Sequence, residues 1–255
     1  MGGKDWIFIS DAHLSGNDSN EIKRFVSFLK SEREKLDSLI VLGDLFEFFF
    51  GFKPSIWNKK SYLFPDYKPI FEEFQNLYER GIKIKYFEGN HDFSLNSFFS
   101  RQLDIEVEVY PDGSEEILGG KRTFIAHGDL SNPNDYRYRI FRLALKNRLT
   151  YGFIQILGPN ISCRIAKILS KRSYRKFHEE VKYESHPSFK KFAKKKFLEG
   201  YEIVILGHSH YPEWIEEIIE GKRFIYFNVG DWMTHRSFLR YSPPDKFFLS
   251  RWEDG

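Results

Sequence analysis

Short apolar runs and longer helical repeats alternate along the first hundred residues. DWIFIS (5–10), SLIVLGD (38–44) and IKIKYF (82–87) are compact apolar runs of strand type. Between the first two, Ile22, Phe25, Val26 and Leu29 recur at helical period behind Asp18 and Glu21, which have the spacing of a capping box. Between the second and third, Ile70, Phe71, Phe74, Leu77 and Tyr78 predict a helix stopped by Gly81. This alternation predicts an α/β sheet with parallel strands.

After residue 100 the pattern changes. IEVEVY (105–110), RTFIAHG (122–128), YEIVILG (201–207) and RFIYFNVG (223–230) predict further strands. The stretch around Glu220-Gly221 has the look of a hairpin, and SFLRYSPPDKFFLSRW (237–252) of another. Between them, residues 134–199 carry mostly helical patterns, broken at Gly152, Gly158-Pro159 and Pro187. No repeat or low-complexity linker separates these parts. The expected organisation is a single domain: a core of residues 1–133 and 200–255, with 134–199 inserted as a helical cap.

Composition narrows the class. In 255 residues, 41% hydrophobic and 29% charged content reads as a soluble globular chain. The single cysteine, Cys163, excludes an intramolecular disulfide and a thiolate metal site. The start, MGGKDWIFIS, has no signal-type apolar region, and no run approaches the roughly 18 apolar residues of a membrane span, so a cytoplasmic location is expected. Charge is unevenly placed. Residues 136–196 hold 17 Lys/Arg against three acids, in a chain whose net charge is only +3. A block that basic suits an anionic partner, although a solvated helical face would look the same.

The polar residues collect where the strands stop. The predicted strands run out into Asp11-Ala12-His13, Gly43-Asp44, Gly89-Asn90-His91-Asp92, His127-Gly128-Asp129 and His208-Ser209-His210. In open α/β sheets the loops after the strands' carboxyl ends form the ligand crevice, so these groups are expected to converge. Oxygen and imidazole donors without thiolate suit Mn, Fe, Zn or Mg, and there are enough for two divalent ions sharing one carboxylate. Two such ions clamp the attacking and leaving oxygens of a phosphoryl displacement. Any one of these histidines alone is more often structural; five such strand ends in order are a far more specific signal.

The ordered set D-x-H, G-D, G-N-H-D, H-G-D and G-H-x-H resembles the calcineurin-like metallophosphoesterases over nearly the whole chain. The resemblance implies a four-layer α-β-β-α sandwich with a dinuclear centre at the strand ends. It implies that Asp11, His13 and His210 hold the first metal, that Asn90, His127 and His208 hold the second, and that Asp44 bridges them. His91 would donate a proton to a leaving oxygen, with Asp92 orienting it, and manganese is the leading expectation for the metal.

Within that family, GDLFEFFFG, HGDL, Asp135-x-x-Tyr138-x-x-Phe141-Arg142 and Arg164-Ile165-Ala166 leading to Ser173 are similar to the UDP-2,3-diacylglucosamine hydrolases. Those enzymes release UMP and 2,3-diacylglucosamine 1-phosphate in lipid A biosynthesis and insert a helical cap between the HGD and GHxH motifs. The best-known members carry Arg at the position of His91, and Phe177 and Glu180 stand where an amide and a lysine are usual. On this resemblance Asp135, Arg137, Arg142, Arg164, Arg172 and Ser173 would grip sugar and phosphates. The apolar residues Leu143, Leu145, Leu149, Phe153, Ile156, Leu157 and Ile161 would hold acyl chains.

The implied partners are a nucleotide-linked lipid and, peripherally, the anionic inner face of the inner membrane, with no obligate protein partner. Two other readings remain open. One is a phosphomonoesterase or phosphodiesterase on the same centre. The other is a nucleic-acid-binding protein whose cap, with Lys194-Lys195-Lys196, tracks phosphates, although no recognisable RNA- or DNA-binding module accompanies it.

Overall fold

The computed structural model describes residues 3–52, 65–158, 161–162, 164–165 and 187–253. In the amino-terminal half, β1 (Asp5–Ile9), β2 (Leu36–Val41), β4 (Lys83–Phe87) and β6 (Glu108–Tyr110) lie parallel, joined through α1 (Ser19–Glu32) and α2 (Lys68–Glu79). β3 (Phe49–Phe50) and β5 (Asp92–Phe93) form a separate two-residue pair. β12 (Ser237–Ser242) and β13 (Lys246–Arg251) return antiparallel on the other side of β1, giving the order β13-β12-β1-β2-β4-β6.

The second sheet has the order β10-β11-β9-β8-β7. Its parallel centre is β8 (Lys121–Ala126), β9 (Ile203–Leu206) and β11 (Lys222–Asn228). Two hairpins widen it: β7 (Gly113–Leu118) with β8, and β10 (Glu213–Ile219) with β11. The second hairpin turns at Glu220 and Gly221, both left-handed, as a two-residue turn with the right twist requires.

Alternate residues of the strands serve different layers, as a period of two dictates. Phe8, Ile40, Leu42 and Phe87 of the first sheet meet Ile125, Ile203, Ile205, Ile225 and Phe227 of the second. Ile7, Ile9, Leu39, Val41, Ile84 and Tyr86 point the other way, onto α1 and α2. α1 buries Ile22, Phe25, Val26, Phe28 and Leu29, each contributing about 1.5–3 kcal/mol by leaving water. The result is the expected α-β-β-α sandwich.

Its fourth layer comes from an unexpected segment. α5 (Pro187–Leu198) falls inside the stretch assigned to the cap from sequence, yet Phe189, Ala193 and Phe197 pack on Val204, Leu206 and Tyr226 of the second sheet. The helix closes the core. Between β8 and α5 the described helices include α3 (Tyr136–Leu145) and α4 (148–158).

The amino-terminal cap of α1 differs in detail from the expected box. Asp18 accepts from the backbone N–H of Asn20 and Glu21, but the Glu21 carboxylate turns away to Arg24 and Arg236. Asp18→Ala should therefore remove the whole side-chain cap, costing about 1 kcal/mol. A thermal-unfolding midpoint lower by about 2–4 °C is the expected readout; an unchanged midpoint would show that water replaces the cap without loss.

Candidate metal centre

The carboxyl ends of β1, β2 and β4 in one sheet and of β8 and β9 in the other open on the same edge of the sandwich. The seven expected ligands meet there. Asp11, Asp44 and His127 are buried, while His13, Asn90, His208 and His210 are partly exposed. His210 Nε2 lies 3.5 Å and His13 Nε2 3.8 Å from Asp11 Oδ1. On the other side, His127 Nε2 is 3.3 Å from Asn90 Oδ1 and 3.0 Å from His208 Nδ1. Asp44 Oδ2 stands between the two sets, 3.5 Å from His127 Nε2 and 4.0 Å from His13 Nε2.

Backbone conformation brings these groups together. Asp11, His13, Asp44, His208 and His210 have φ of 51°, 43°, 52°, 64° and 58°, left-handed values that Asp and His tolerate better than most residues. Gly89 is required by space: a Cβ there would collide with the Asp44 carboxylate. Gly43, at φ 83°, needs both its conformation and its lack of a side chain, since a Cβ would come within 2.7 Å of His127 Nδ1.

The donor set fits divalent cations. Donors sharing an ion at about 2.0–2.2 Å stand roughly 3–4 Å from one another, depending on the angle between them, and the separations here fall within that range. Asp11 Oδ1 is buried without a hydrogen-bond partner, whereas Oδ2 accepts from Ser10 Oγ and from the His208 backbone N–H. An orphaned carboxylate oxygen facing two imidazole nitrogens needs a positive charge. The protonation pattern repeats that demand. Burial pushes the His127 imidazole down, but Asp44 outweighs it and holds the group up to about 10. A proton there stands in for the cation. Burial also holds His13 and His208 down to about 3, in the neutral form a metal ligand needs. Asp11 with His13 and His210, and Asp11 with Asp44, His127 and His208, each place donor atoms within 4.8 Å of one another.

The supporting contacts depart from expectation at Asp92. Its oxygens accept from the backbone N–H of Asp44 (3.0 Å), Leu45 (2.7 Å) and Gly89 (3.0 Å), and from Tyr86 Oη. Asp92 thus ties the β2 loop to the β4 loop, and does not orient His91 as expected. The Glu47 carbonyl performs that task, 2.7 Å from His91 Nδ1. A carbonyl only accepts, so Nδ1 carries the proton and Nε2 is the nitrogen left for other partners. The His91 ring packs edge-on to His13, with centroids 4.7 Å apart.

The expected substrate groups are scattered. Asp135 caps α3 through the Tyr138 N–H, and Arg137 and Arg164 are exposed. Arg142 is buried with its guanidinium fully engaged: Nε meets Asp129 (2.7 Å), Nη1 meets Asp112 (2.8 Å), and Nη2 donates to the Pro111 carbonyl (2.6 Å). Arg172 and Ser173 lie outside the described residues. In α5, Lys194 pairs with Glu217 and Lys196 with Glu199, which neutralises part of the expected phosphate track.

Sequence reasoning missed Asp231, although β11 also runs out into a glycine and a carboxylate, Gly230-Asp231. It noted Asp129 in the HGD motif but gave it no role. The Asp129 carboxylate accepts from Tyr138 Oη and Arg142 Nε, fastening α3 to the loop that carries His127. A small cleft at this junction is lined by Gly89, Asn90, Phe93, Tyr138, Phe141 and Lys146.

A family model described as calcineurin-like phosphoesterase matches residues 6–212. The UDP-2,3-diacylglucosamine hydrolase of Aliivibrio fischeri is 28% identical over 242 residues, covering 95% of each chain. The hydrolase of the same name from Vibrio cholerae serotype O1 is 28% identical over 242 residues, covering 92% of this chain and 94% of that one. Among solved structures, Vacuolar Protein Sorting 29 from Cryptosporidium parvum aligns with a TM-score of 0.48 at 12% identity, covering 100% of this chain and 94% of the other.

Proposed function

Because this chain belongs to the calcineurin-like phosphoesterase family of hydrolases, we propose that it cleaves the pyrophosphate of UDP-2,3-diacylglucosamine, giving UMP and 2,3-diacylglucosamine 1-phosphate for lipid A. Asp11, His13 and His210 would hold one divalent ion, Asn90, His127 and His208 a second, and Asp44 would contact both, with manganese the leading candidate. When bound, the ions supply an activated water and neutralise charge on the phosphoryl group. His91, held at Nδ1 by the Glu47 carbonyl, offers Nε2 to a phosphate or leaving oxygen. Asp92 holds the two ligand loops in register.

The observation that carries the lipid part is the inverted polarity of α3. A helix on a globular protein normally turns its apolar stripe to the core. Here Arg142 is the buried residue, and Tyr138, Arg139, Arg142 and Lys146 reach inward to Asp129, the Leu130 carbonyl, Asp112 and Glu88. Tyr136, Ile140 and Leu143 face outward at 68–71% exposure. Leu149, Phe153 and Ile156 continue the exposed apolar surface on α4, so packing within the described chain does not account for them. A substrate with a diphosphate at one end and acyl chains at the other suits a metal centre beside such a surface. Asp135, Arg137 and Arg164 would lie toward its sugar and phosphates, and the same surface would rest on an anionic bilayer.

Incubating the manganese-loaded protein with UDP-2,3-diacylglucosamine should release UMP. Absence of UMP alongside hydrolysis of simple phosphomonoesters would favour the monoesterase reading, which the free Nε2 of His91 supports. Among the described residues no helix is long and apolar enough to cross a membrane, and the membrane contact proposed here is peripheral. Binding to vesicles should strengthen with anionic lipid and weaken as salt screens the basic residues. Ile140→Asp with Leu143→Asp should weaken it further; indifference of binding to lipid charge, salt and these substitutions would remove the membrane part of the proposal.

A further inference from the structure

Asp231 sits behind the centre, at the end of β11, and is 2% exposed. Its Oδ2 lies 3.3 Å from His210 Nδ1, while His210 Nε2 faces Asp11. Its Oδ1 is fixed from three directions: the backbone N–H of Thr234 at 3.1 Å, that of His235 at 2.8 Å, and His235 Nδ1 at 2.9 Å. The adjoining backbone is anchored as well, since Trp232 N–H donates to the Ser10 carbonyl beside Asp11. One carboxylate oxygen is therefore clamped by a turn and the other is presented to a single imidazole.

We propose that Asp231 is a positioning residue for the first metal: it accepts the Nδ1 proton of His210 and so fixes the ring orientation and tautomer that turn Nε2 toward the ion. A histidine ligand whose second nitrogen faces a carboxylate is both oriented and made a better donor. The assignment separates the two positions: Asp231 acts on the first and leaves the second alone. It rests on the metal reading but not on the identity of the substrate.

Asp231→Asn tests it, because the amide keeps an oxygen for the Thr234 and His235 backbone donors yet presents N–H to a ring nitrogen that must itself donate. In a manganese titration of the purified protein, the first site should weaken by about 10–100-fold while the second keeps its wild-type affinity. His235→Ala leaves both backbone donors to Asp231 in place and should give a smaller loss at the same site. Zinc-loaded wild-type protein with 15N-labelled histidine provides a measurement independent of any variant: His210 should show its proton on Nδ1. Two wild-type affinities in a folded Asp231→Asn protein, or a His210 proton on Nε2 in the zinc-loaded wild type, would overturn the proposal. Wild-type protein that takes up neither metal would instead overturn the metal assignment beneath it.

Discussion

Asp44→Ala is expected to empty both metal positions at once. Asp44 Oδ2 faces His127 on one side and His13 on the other, and the carboxylate is 2% exposed. Burial alone would raise its pKa, but His127 and the other nearby imidazoles outweigh it and hold the group well below the usual carboxylate range. The site therefore keeps this charge ionised for whatever cations it holds. Removing it leaves each position short of a donor, and Asp44 Oδ1 also stops receiving the His91 backbone N–H at 2.8 Å. Metal analysis should fall from close to two ions per chain to near none. Activity should drop by more than the about 100-fold that loss of an outer partner brings. His208→Ala and His210→Ala should each weaken one position, and opposite ones. An Asp44→Ala protein that loses one ion and keeps the other at full occupancy would show that the carboxylate is not shared.

His91→Ala should lower turnover by about 10²–10⁴-fold where the leaving oxygen needs a proton, with metal content unchanged. The imidazole is tethered through Nδ1 to Glu47, so Nε2 is the group that can face substrate, and it donates only from the imidazolium, in which both ring nitrogens carry a proton. UMP and a sugar phosphate leave as stabilised phosphate anions and need little protonation. An alkoxide leaving a phosphomonoester needs much. The loss should accordingly be severe on alkyl phosphomonoesters and slight on the nucleotide diphosphate sugar lipid. Equal, severe losses on both, with metal retained, would make His91 a phosphate-positioning group. His91 also lies near His13 and Asp44 in a group able to hold an ion. Loss of metal along with activity would therefore redraw the ligand set.

The convergence of the candidate ligands was legible because each follows closely on a strong apolar strand, where local sequence and ligand chemistry coincide. What surrounds them was less legible. Two of the Asp92 contacts are with backbone N–H groups nearly fifty residues away, at Asp44 and Leu45, and nothing local to Gly-Asn-His-Asp reveals those two. The roles of Asp129 and Arg142 were hidden for a similar reason, since the pair forms only when α3 folds back on the HGD loop. The β7–β8 hairpin was a different kind of omission. Gly119-Gly120 between GSEEIL and KRTFIA is a two-residue turn signal, and both glycines are left-handed, but the charged strand before it lacks an apolar run. α5 lies within the basic, helix-patterned segment that the sequence assigns to the cap. Its Phe189, Ala193 and Phe197 stripe, spaced at four, was the better guide.

The left-handed backbone at five of the seven candidate ligands also bears on how the centre could be re-engineered. For most side chains such a conformation costs about 1–3 kcal/mol per residue, and Asp, Asn and His are among the exceptions that settle there most readily. The residue types able to bind the metals are thus also those the loops accept. Exchanging a histidine for glutamate or cysteine would change donor chemistry and oppose the backbone in the same step. Retuning metal preference by swapping ligands at Asp11, His13, Asp44, His208 or His210 is therefore a poor route, because the permitted vocabulary is only a few residues wide. Asn90 and His127, which are free of that conformation, are where a redesign has room to begin.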